Sequence, residues 1–362
     1  MRFLVLGASG FVGGAFARRA RAAGDEVHAL VRDPGGQAAT ALAREGVVLR
    51  AGHLGDPNAI RDAAEGAAVL VNAAGLVDRR ASAKAAAWTH VAGTENVLNA
   101  ARAAGVERVV HVSCANVTLH LGSRVNWNEE RSLPKRPMGV HARTTLLGDE
   151  LALGAHSSAM EVTVLRPATV WGPGDQNLLP HALRENANGG MRLPGDGDAL
   201  FETVHIDSLV DAMVAASEES RAAGRLYLIA DGAMESAKHF FDALLRAAGA
   251  VPGWRSGPTP WIDLVAQLAL GRPDPIVTPD DVVERAFDTH FDTQRARGEL
   301  LWEPGTNRSA RFEALARAVH ADGGHAAVLG RLRRAPSDAS VEAQIEAAAA
   351  WSEAAPETAG HR

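Results

Sequence analysis

Cysteine occurs once in the 362 residues, as Cys114, which excludes an internal disulfide and a cysteine-clustered metal site. A lone thiol is what a reducing compartment permits. Tyrosine also occurs once, as Tyr227 in the stretch RLYLIADG, so a phenol is available at one place only. The net charge of -6 comes without a long run of one sign, leaving no electrostatic footprint for nucleic acid or an anionic membrane. No apolar stretch reaches membrane-spanning length, and the amino terminus has a single Arg and too short an apolar run for a signal peptide. A cytoplasmic protein is expected, with a small-molecule substrate and neither nucleic-acid nor membrane partners. The histidines, His111, His181 and His205 among them, lack ligand spacing such as H-E-x-x-H, and no metal is expected.

What the chain does have stands at its start. In MRFLVLGASGFVGGAFARRARAAG an apolar run, Phe3 to Leu6, enters a glycine loop that opens directly into a helical pattern. Gly7, Gly10 and Gly13 have the spacing G-x-x-G-x-x-G. The first allows a tight turn, the second lets a pyrophosphate approach the backbone, and the third lets helix pack on strand. A second strand, Glu26 to Arg32, completes the pattern of a dinucleotide cradle, with N–H groups at the helix start facing the phosphates. At the end of that strand Val31 occupies the place of the acidic residue that would hold a ribose diol, and Arg32 follows, with Asp33 as an opposing charge. A 2′-phosphate is thereby favoured, hence NADP(H) over NAD(H).

Further strands read at Val47 to Arg50, AVLVNAAG, RVVHVS and EVTVLRPATV up to Trp171. Between them lie a cap at Asp56 to Asn58 with a short helix ending near Gly66, an Ala-rich helix from about Ala83 to Ala104, and a loop leading to a helix at about Thr144 to Gly154. Alternating strands and helices predict an α/β fold, a doubly wound parallel sheet of Rossmann type, with ligands beyond the strands' carboxyl ends. The expected organisation is a dinucleotide-binding domain over 1–170, a smaller C-terminal substrate-binding region over 171–330 with some segments returning to the sheet, and an Ala/Glu-rich tail over 331–362. Helices are expected at VHIDSLVDAMVAASEES, Glu235 to Ala250 and RFEALARAVHA, a Pro- and Trp-rich stretch at 251–280, and a surface helix with a disordered end in the tail.

Several stretches together resemble the extended branch of the short-chain dehydrogenase/reductase superfamily, particularly the NAD-dependent epimerase/dehydratases and the 3β-hydroxysteroid dehydrogenase/isomerase-like proteins. They are GASGFVG, VNAAG, HVAGTENVLNAAR, LRPATVWGPGDQNLLP, VHIDSLVDAM and FDTQRARGELLWEP, and they span about residues 1 to 320. The resemblance implies cofactor contacts from Gly7, Ser9, Gly10, Phe11, Val12, Gly13, Arg32, His53, Leu54, Ala73, Ala74, Gly75, Pro167 and Val170. It also implies dimerisation through the helices after strands four and five, which Ala100 and Ala103 permit.

The family's chemistry uses a Ser or Thr after strand five that holds the substrate oxygen, a Tyr that exchanges a proton with it, and a Lys that lowers the phenol's pKa. Here the stretch HARTTLLGDE aligns without gaps on the family's Y-x-x-S-K-x-x-x-E, with His141 in place of Tyr and Thr145 in place of Lys. Cys114 stands where the Ser or Thr belongs, with Ser113 before it; His90 replaces a usual Asn, and His53 a common Asp beside the adenine. An imidazole titrates near neutral pH unaided, so His141 is a candidate proton donor, and Ser113 or Cys114 would orient the substrate oxygen. A Cys114/His141 nucleophilic pair is the alternative to Cys114 as a small buried hydrophobe. Asp175, Glu150 and Asp207 read as caps or solvated charges, and Trp171 and Trp127 as cleft walls or packing anchors. The leading expectation is an atypical NADP(H)-binding oxidoreductase or isomerase acting on a hydroxyl or carbonyl of a small, fairly apolar molecule. The alternatives are a catalytically silent dinucleotide-binding sensor or partner protein, and a non-redox lyase or cyclase.

Overall fold

Along β1 (Arg2–Leu6) Phe3 and Val5 pack into one core and Leu4 and Leu6 into another, as the two-residue period of a strand dictates. A strand buried on both faces belongs inside a sheet covered by helices on each side. The computed structural model, which describes residues 1–257 and 277–330, has this arrangement. β2 (Glu26–Val31), β3 (Val48–Ala51), β4 (Val69–Asn72) and β5 (Arg108–Val112) follow in the sheet; the short β6 (Arg124–Trp127) lies outside it. β7 (Glu161–Pro167) rejoins the sheet, and after β8 (Thr169–Trp171), β9 (Met191–Pro194) and β10 (Thr203–His205) comes its last member, β11 (Leu226–Ile229). The order is β11-β7-β5-β4-β1-β2-β3, parallel throughout. Chain order reverses between β1 and β4, and at such a switch point a crevice opens beyond the carboxyl ends.

Helix α1 (Phe11–Ala22) covers one face, with Phe16, Ala17 and Ala20 in its core. After α2 (Gln37–Arg44), α3 (Pro57–Ala64) covers the other face, started by Asp56, whose carboxylate accepts the Ala59 N–H at 3.0 Å. The single helix expected from Ala83 to Ala104 is instead α4 (Ala83–Ala87), one turn of π-helix (Trp88–Ala92) and α5 (Gly93–Ala103). The π turn turns His90 inward, 8% exposed; such turns gather at functional sites. The next helix, α6 (Val140–Gly154), starts four residues before the expected Thr144, so His141 lies in its first turn and not in a loop. The last expected strand of the first half breaks at Ala168 into β7 and β8.

A third core gathers Trp171, Phe201, Phe240 and Phe241 around α7 (Leu178–Ala187) and the helix Ala237–Ala247. Three two-stranded parallel ladders stitch this region together: β8 with β10, β9 with β12 (Trp254–Gly257), and β6 with β13 (Thr289–Phe291). Between them α8 (Ile206–Glu218) packs back on the α1 face of the sheet. The tail and most of the Pro- and Trp-rich stretch lie outside the described residues. Among those residues no helix is long and apolar enough to cross a membrane.

Candidate active site

The cradle is built by backbone. Gly7 has φ +78°, and its carbonyl accepts the Gly10 N–H at 2.8 Å, closing the turn that feeds α1. No side chain caps α1, so its first N–H groups are left for an outside acceptor. Ser9, Phe11 and Val12 are partly exposed along the same loop. Opposite, the chain leaves β4 as Ala73, Ala74 and exposed Gly75, with the Ala73 N–H bonded to Leu6 O at 3.1 Å. His53 and Leu54 follow β3; His53 Nδ1 accepts the Gly55 N–H at 3.1 Å, and Leu54 O accepts from Asn96 Nδ2 at 2.8 Å. Pro167 is buried at the end of β7 and Val170 half-buried in β8. Glycine backbone at Gly7, Gly10 and Gly13 beside an uncapped helix start fits the pyrophosphate of a dinucleotide.

Beside the crevice lies a cluster of histidines. His90 Nε2 accepts the Leu76 N–H at 3.1 Å, which places the ring proton on Nδ1, 2.8 Å from Thr144 Oγ1. The Thr144 hydroxyl then donates to Val140 O at 3.0 Å, locking the π turn onto the first turn of α6. Thr145 Oγ1 is 3.5 Å from His90 Nδ1. His141 meets His90 edge to face, ring centroids 5.1 Å apart, and its own ring nitrogens take no hydrogen bond among the described residues. Burial, then the neighbouring His90 and Arg79, hold the His141 pKa well below its ordinary value, so the ring is neutral at pH 7. Burial likewise brings His90 and His111 to about 4. Asp149, eight residues after His141, is buried and accepts from Arg166 Nε at 2.8 Å. The Ser113 hydroxyl is buried beside the Asp149 carboxylate, which it favours in its charged form, without a well-aligned hydrogen bond.

Two arginines and two glutamates complete the wall. Arg79, in the loop after β4, donates to Asp281 Oδ1 at 2.8 Å and Glu284 Oε2 at 2.7 Å on the helix Pro279–Ala286. Burial opposes the Arg79 charge, but the Glu284 and Asp281 carboxylates outweigh it and raise its pKa. Glu284 also accepts from Thr169 Oγ1 at 2.7 Å. Arg124, at the start of β6, and Glu202, before β10, are both buried nearby.

A family model described as the NAD dependent epimerase/dehydratase family matches residues 3–230. The chain belongs to this family. It is 31% identical over 250 residues, 69% of this chain and 74% of the relative, to the 4-hydroxy-2-methyl-3-oxo-4-farnesyl-3,4-dihydroquinoline-1-oxide ketoreductase of Stigmatella aurantiaca. It is 32% identical over 271 residues, 69% of this chain and 76% of the relative, to the 2-alkyl-3-oxoalkanoate reductase of Stenotrophomonas maltophilia (strain K279a). With short-chain dehydrogenase/reductase family 42E member 1 of Bos taurus the identity is 33% over 241 residues, 59% of this chain and only 61% of that relative. Among solved structures, MoeE5 in complex with UDP-glucose and NAD matches with TM-score 0.70 at 22% identity, covering 90% of this chain and all of that one, a likeness of fold. The chain is therefore an enzyme of the nicotinamide-dinucleotide-dependent oxidoreductase and epimerase type.

Within this epimerase/dehydratase family, the structure sorts the residues singled out by sequence. His141 does not titrate near neutrality as an unaided imidazole would, because burial disfavours its charge. At Cys114 burial pushes the thiol up to about 11, which favours the protonated form, and its Sγ accepts the Asn116 N–H at 3.3 Å. Native protein at pH 7.5 is accordingly expected to alkylate with iodoacetamide about 100-fold more slowly than the unfolded chain, as thiol titration would measure; equal rates would refute a protonated Cys114. Asp175 is a helix cap, accepting the N–H groups of Asn177, Leu178 and Leu179 at 2.8, 3.0 and 2.8 Å. Asp207 is not the cap of α8: His205 Nδ1 accepts the Asp207 N–H at 3.2 Å, and the Asp207 side chain is 76% exposed. Glu150 is a solvated charge. Trp171 is fully buried against Phe312 and Phe240, and Trp127 is buried beside His120, so both are packing anchors. Ala100 is buried within the monomer, which leaves Ala103 as the exposed small residue of that pair. The only phenol, Tyr227, donates to Glu299 at 2.8 Å in the α1-side core. Sequence reading missed Arg79, Arg124, Glu202 and Glu284; buried charge at these positions carries no periodicity that would mark it.

Proposed function

We propose that the chain is an NADP(H)-dependent ketoreductase, or alcohol dehydrogenase in reverse, for a small, fairly apolar molecule, with His141 in the place of the family's tyrosine. The observation that carries this reading is the His141 ring itself, fixed in the first turn of α6 against His90 with its nitrogens unengaged. A bound nicotinamide supplies or accepts the hydride. His141, when protonated, gives its proton to the carbonyl oxygen, and in reverse the neutral ring takes the hydroxyl proton. The Ser113 hydroxyl, buried beside Asp149 without a well-aligned hydrogen bond, supplies a donor for the same oxygen. Support for an apolar ketone comes from the two reductase relatives, one named for a farnesyl-bearing and one for an alkyl-bearing oxo compound.

NADP(H) is preferred through Arg32, which is exposed just past β2 and has no ion-pair partner among the described residues. Asp33 is turned into its own loop, its carboxylate accepting the Gly35 N–H at 3.0 Å. Arg32→Ala is expected to weaken NADPH binding about tenfold and NADH binding hardly at all, read from nicotinamide fluorescence titrations; equal losses would remove Arg32 from 2′-phosphate recognition. The function is tested by following reduced-nicotinamide absorbance with a panel of alkyl ketones and 3-oxo acids. Tight NADPH binding without turnover across the panel would favour a silent sensor instead. On this reading the enzyme works in the cytoplasm, as a homodimer packed through the outer faces of α5 and α6.

A further inference from the structure

A carbonyl is reduced when hydride reaches its carbon and a proton its oxygen, so the proton donor must be held at a fixed distance from the nicotinamide. His141 does not hold itself. Its ring nitrogens take no hydrogen bond among the described residues, and the first turn of α6 that carries it has no side-chain cap, starting from Gly139 with φ +81°. Something outside α6 has to fix that turn against the crevice.

His90 does so with both ring nitrogens. Nε2 accepts the N–H of Leu76 at 3.1 Å, one residue past Gly75, where the chain leaves β4 along the crevice. Nδ1, which therefore carries the proton, is 2.8 Å from Thr144 Oγ1, and the Thr144 hydroxyl donates in turn to Val140 O at 3.0 Å. The His90 ring also meets the His141 ring edge to face. His141, Thr144, Thr145 and Gly148 recur at i, i+3, i+4 and i+7 on one face of α6. That face meets the π turn: Thr145 Oγ1 lies 3.5 Å from His90 Nδ1, and a Cβ at Gly148 would stand 2.4 Å from His90 O. A ring bonded at both nitrogens, with its own carbonyl pressed on a glycine, has one orientation. Burial brings its pKa to about 4, so at neutral pH Nε2 stays an acceptor.

We propose that His90 is the positioning residue for His141: it ties the strand exit at Leu76 to the first turn of α6 and so sets the distance between the nicotinamide and the proton donor. This rests on the ketoreductase reading above. In this role His90 exchanges no proton, since one nitrogen is held as acceptor and the other as donor.

The test is a double-mutant cycle in the full chain. His90→Phe keeps a ring but neither hydrogen bond, while Thr144→Val removes the α6 end of the link and leaves Leu76 bonded. Each is expected to lower kcat for ketone reduction about 30-fold with KM changed little, and Thr144→Val to leave NADPH affinity unchanged. The double variant should lose no more than His90→Phe alone, because both changes break one link. Thr144→Ser, which keeps the hydroxyl, should retain most of the rate. Losses that multiply in the double variant, a folded His90→Phe protein with wild-type kcat, or a change confined to KM would each overturn the proposal. If His90→Phe does not fold, Thr144→Val against Thr144→Ser decides the matter. Histidine-selective ¹⁵N NMR separates the two readings. The wild type should show the His90 proton on Nδ1 and one set of His141 ring signals, which should broaden or double in Thr144→Val. Unchanged His141 signals there overturn the positioning role even if no ketone is reduced, whereas absence of turnover with the expected signals removes only the ketoreductase.

Discussion

His141→Ala is expected to lower kcat for ketone reduction by about 100- to 10,000-fold, the usual contribution of a positioned proton donor, while leaving NADPH affinity unchanged. Stopped-flow nicotinamide absorbance and fluorescence titration read the two quantities separately. The protonation state of His141 adds a second signature. Its pKa is held well below the ordinary histidine value, first by burial and then by His90 and Arg79, so at neutral pH the imidazolium that donates the proton is the minor form. Reduction should therefore slow about tenfold per unit as pH rises over roughly 6 to 8. In the oxidising direction the required form is the neutral ring, already fully populated, and the rate should be flat over the same range. A His141→Ala protein with unchanged kcat, or a reduction rate flat from neutral to mildly acidic pH, would remove His141 from the proton transfer.

The second large effect lies in the cradle, where two general rules point in opposite directions. Gly13 is a helical residue, and helix propensity alone favours alanine there by about 0.8–1.0 kcal/mol. A Cβ at Gly13 would, however, stand 2.5 Å from Gly7 O and 2.7 Å from Gly7 C, both backbone atoms. Forcing extra volume into such packing costs about 1–3 kcal/mol, so Gly13→Ala should destabilise. Gly7→Ala is worse: its φ of +78° costs an L-residue about 1–2 kcal/mol, and its Cβ would meet Ala73 O at 2.5 Å and Ala74 N at 2.7 Å. That contact lies at the β1–β4 junction where the dinucleotide enters. Gly7→Ala should lose about 2–5 kcal/mol in urea unfolding and most of its NADPH binding. Stabilisation by Gly13→Ala, with cofactor affinity intact, would mean the loop is not packed as described.

Much of this protein follows from local pattern. The glycine spacing, the apolar runs of β1, β2 and β4, and the cap at Asp56 each depend on a few adjacent residues, so they are legible in one dimension. The same holds for the loss of the family's Tyr and Lys, visible at His141 and Thr145. The start of α6 was not legible, because GVHA after a proline-containing stretch gives no capping residue before Val140. Nor was the π turn at His90, since an Ala-rich stretch reads as one continuous helix and the extra residue per turn follows from packing against α6.

The sequence by itself determined the sheet, the nicotinamide cradle and the absence of the usual phenol. Only the tertiary structure decided which groups carry charge. Arg79 meets Glu284 across a separation of 205 residues, Cys114 and His141 are kept neutral by what covers them, and the buried Arg124 bonds two threonine hydroxyls while Glu284 favours its charge from nearby. The physical reason is that desolvation and Coulomb energies depend on distance through space and on the medium between charges, neither of which is a property of neighbouring positions in the chain.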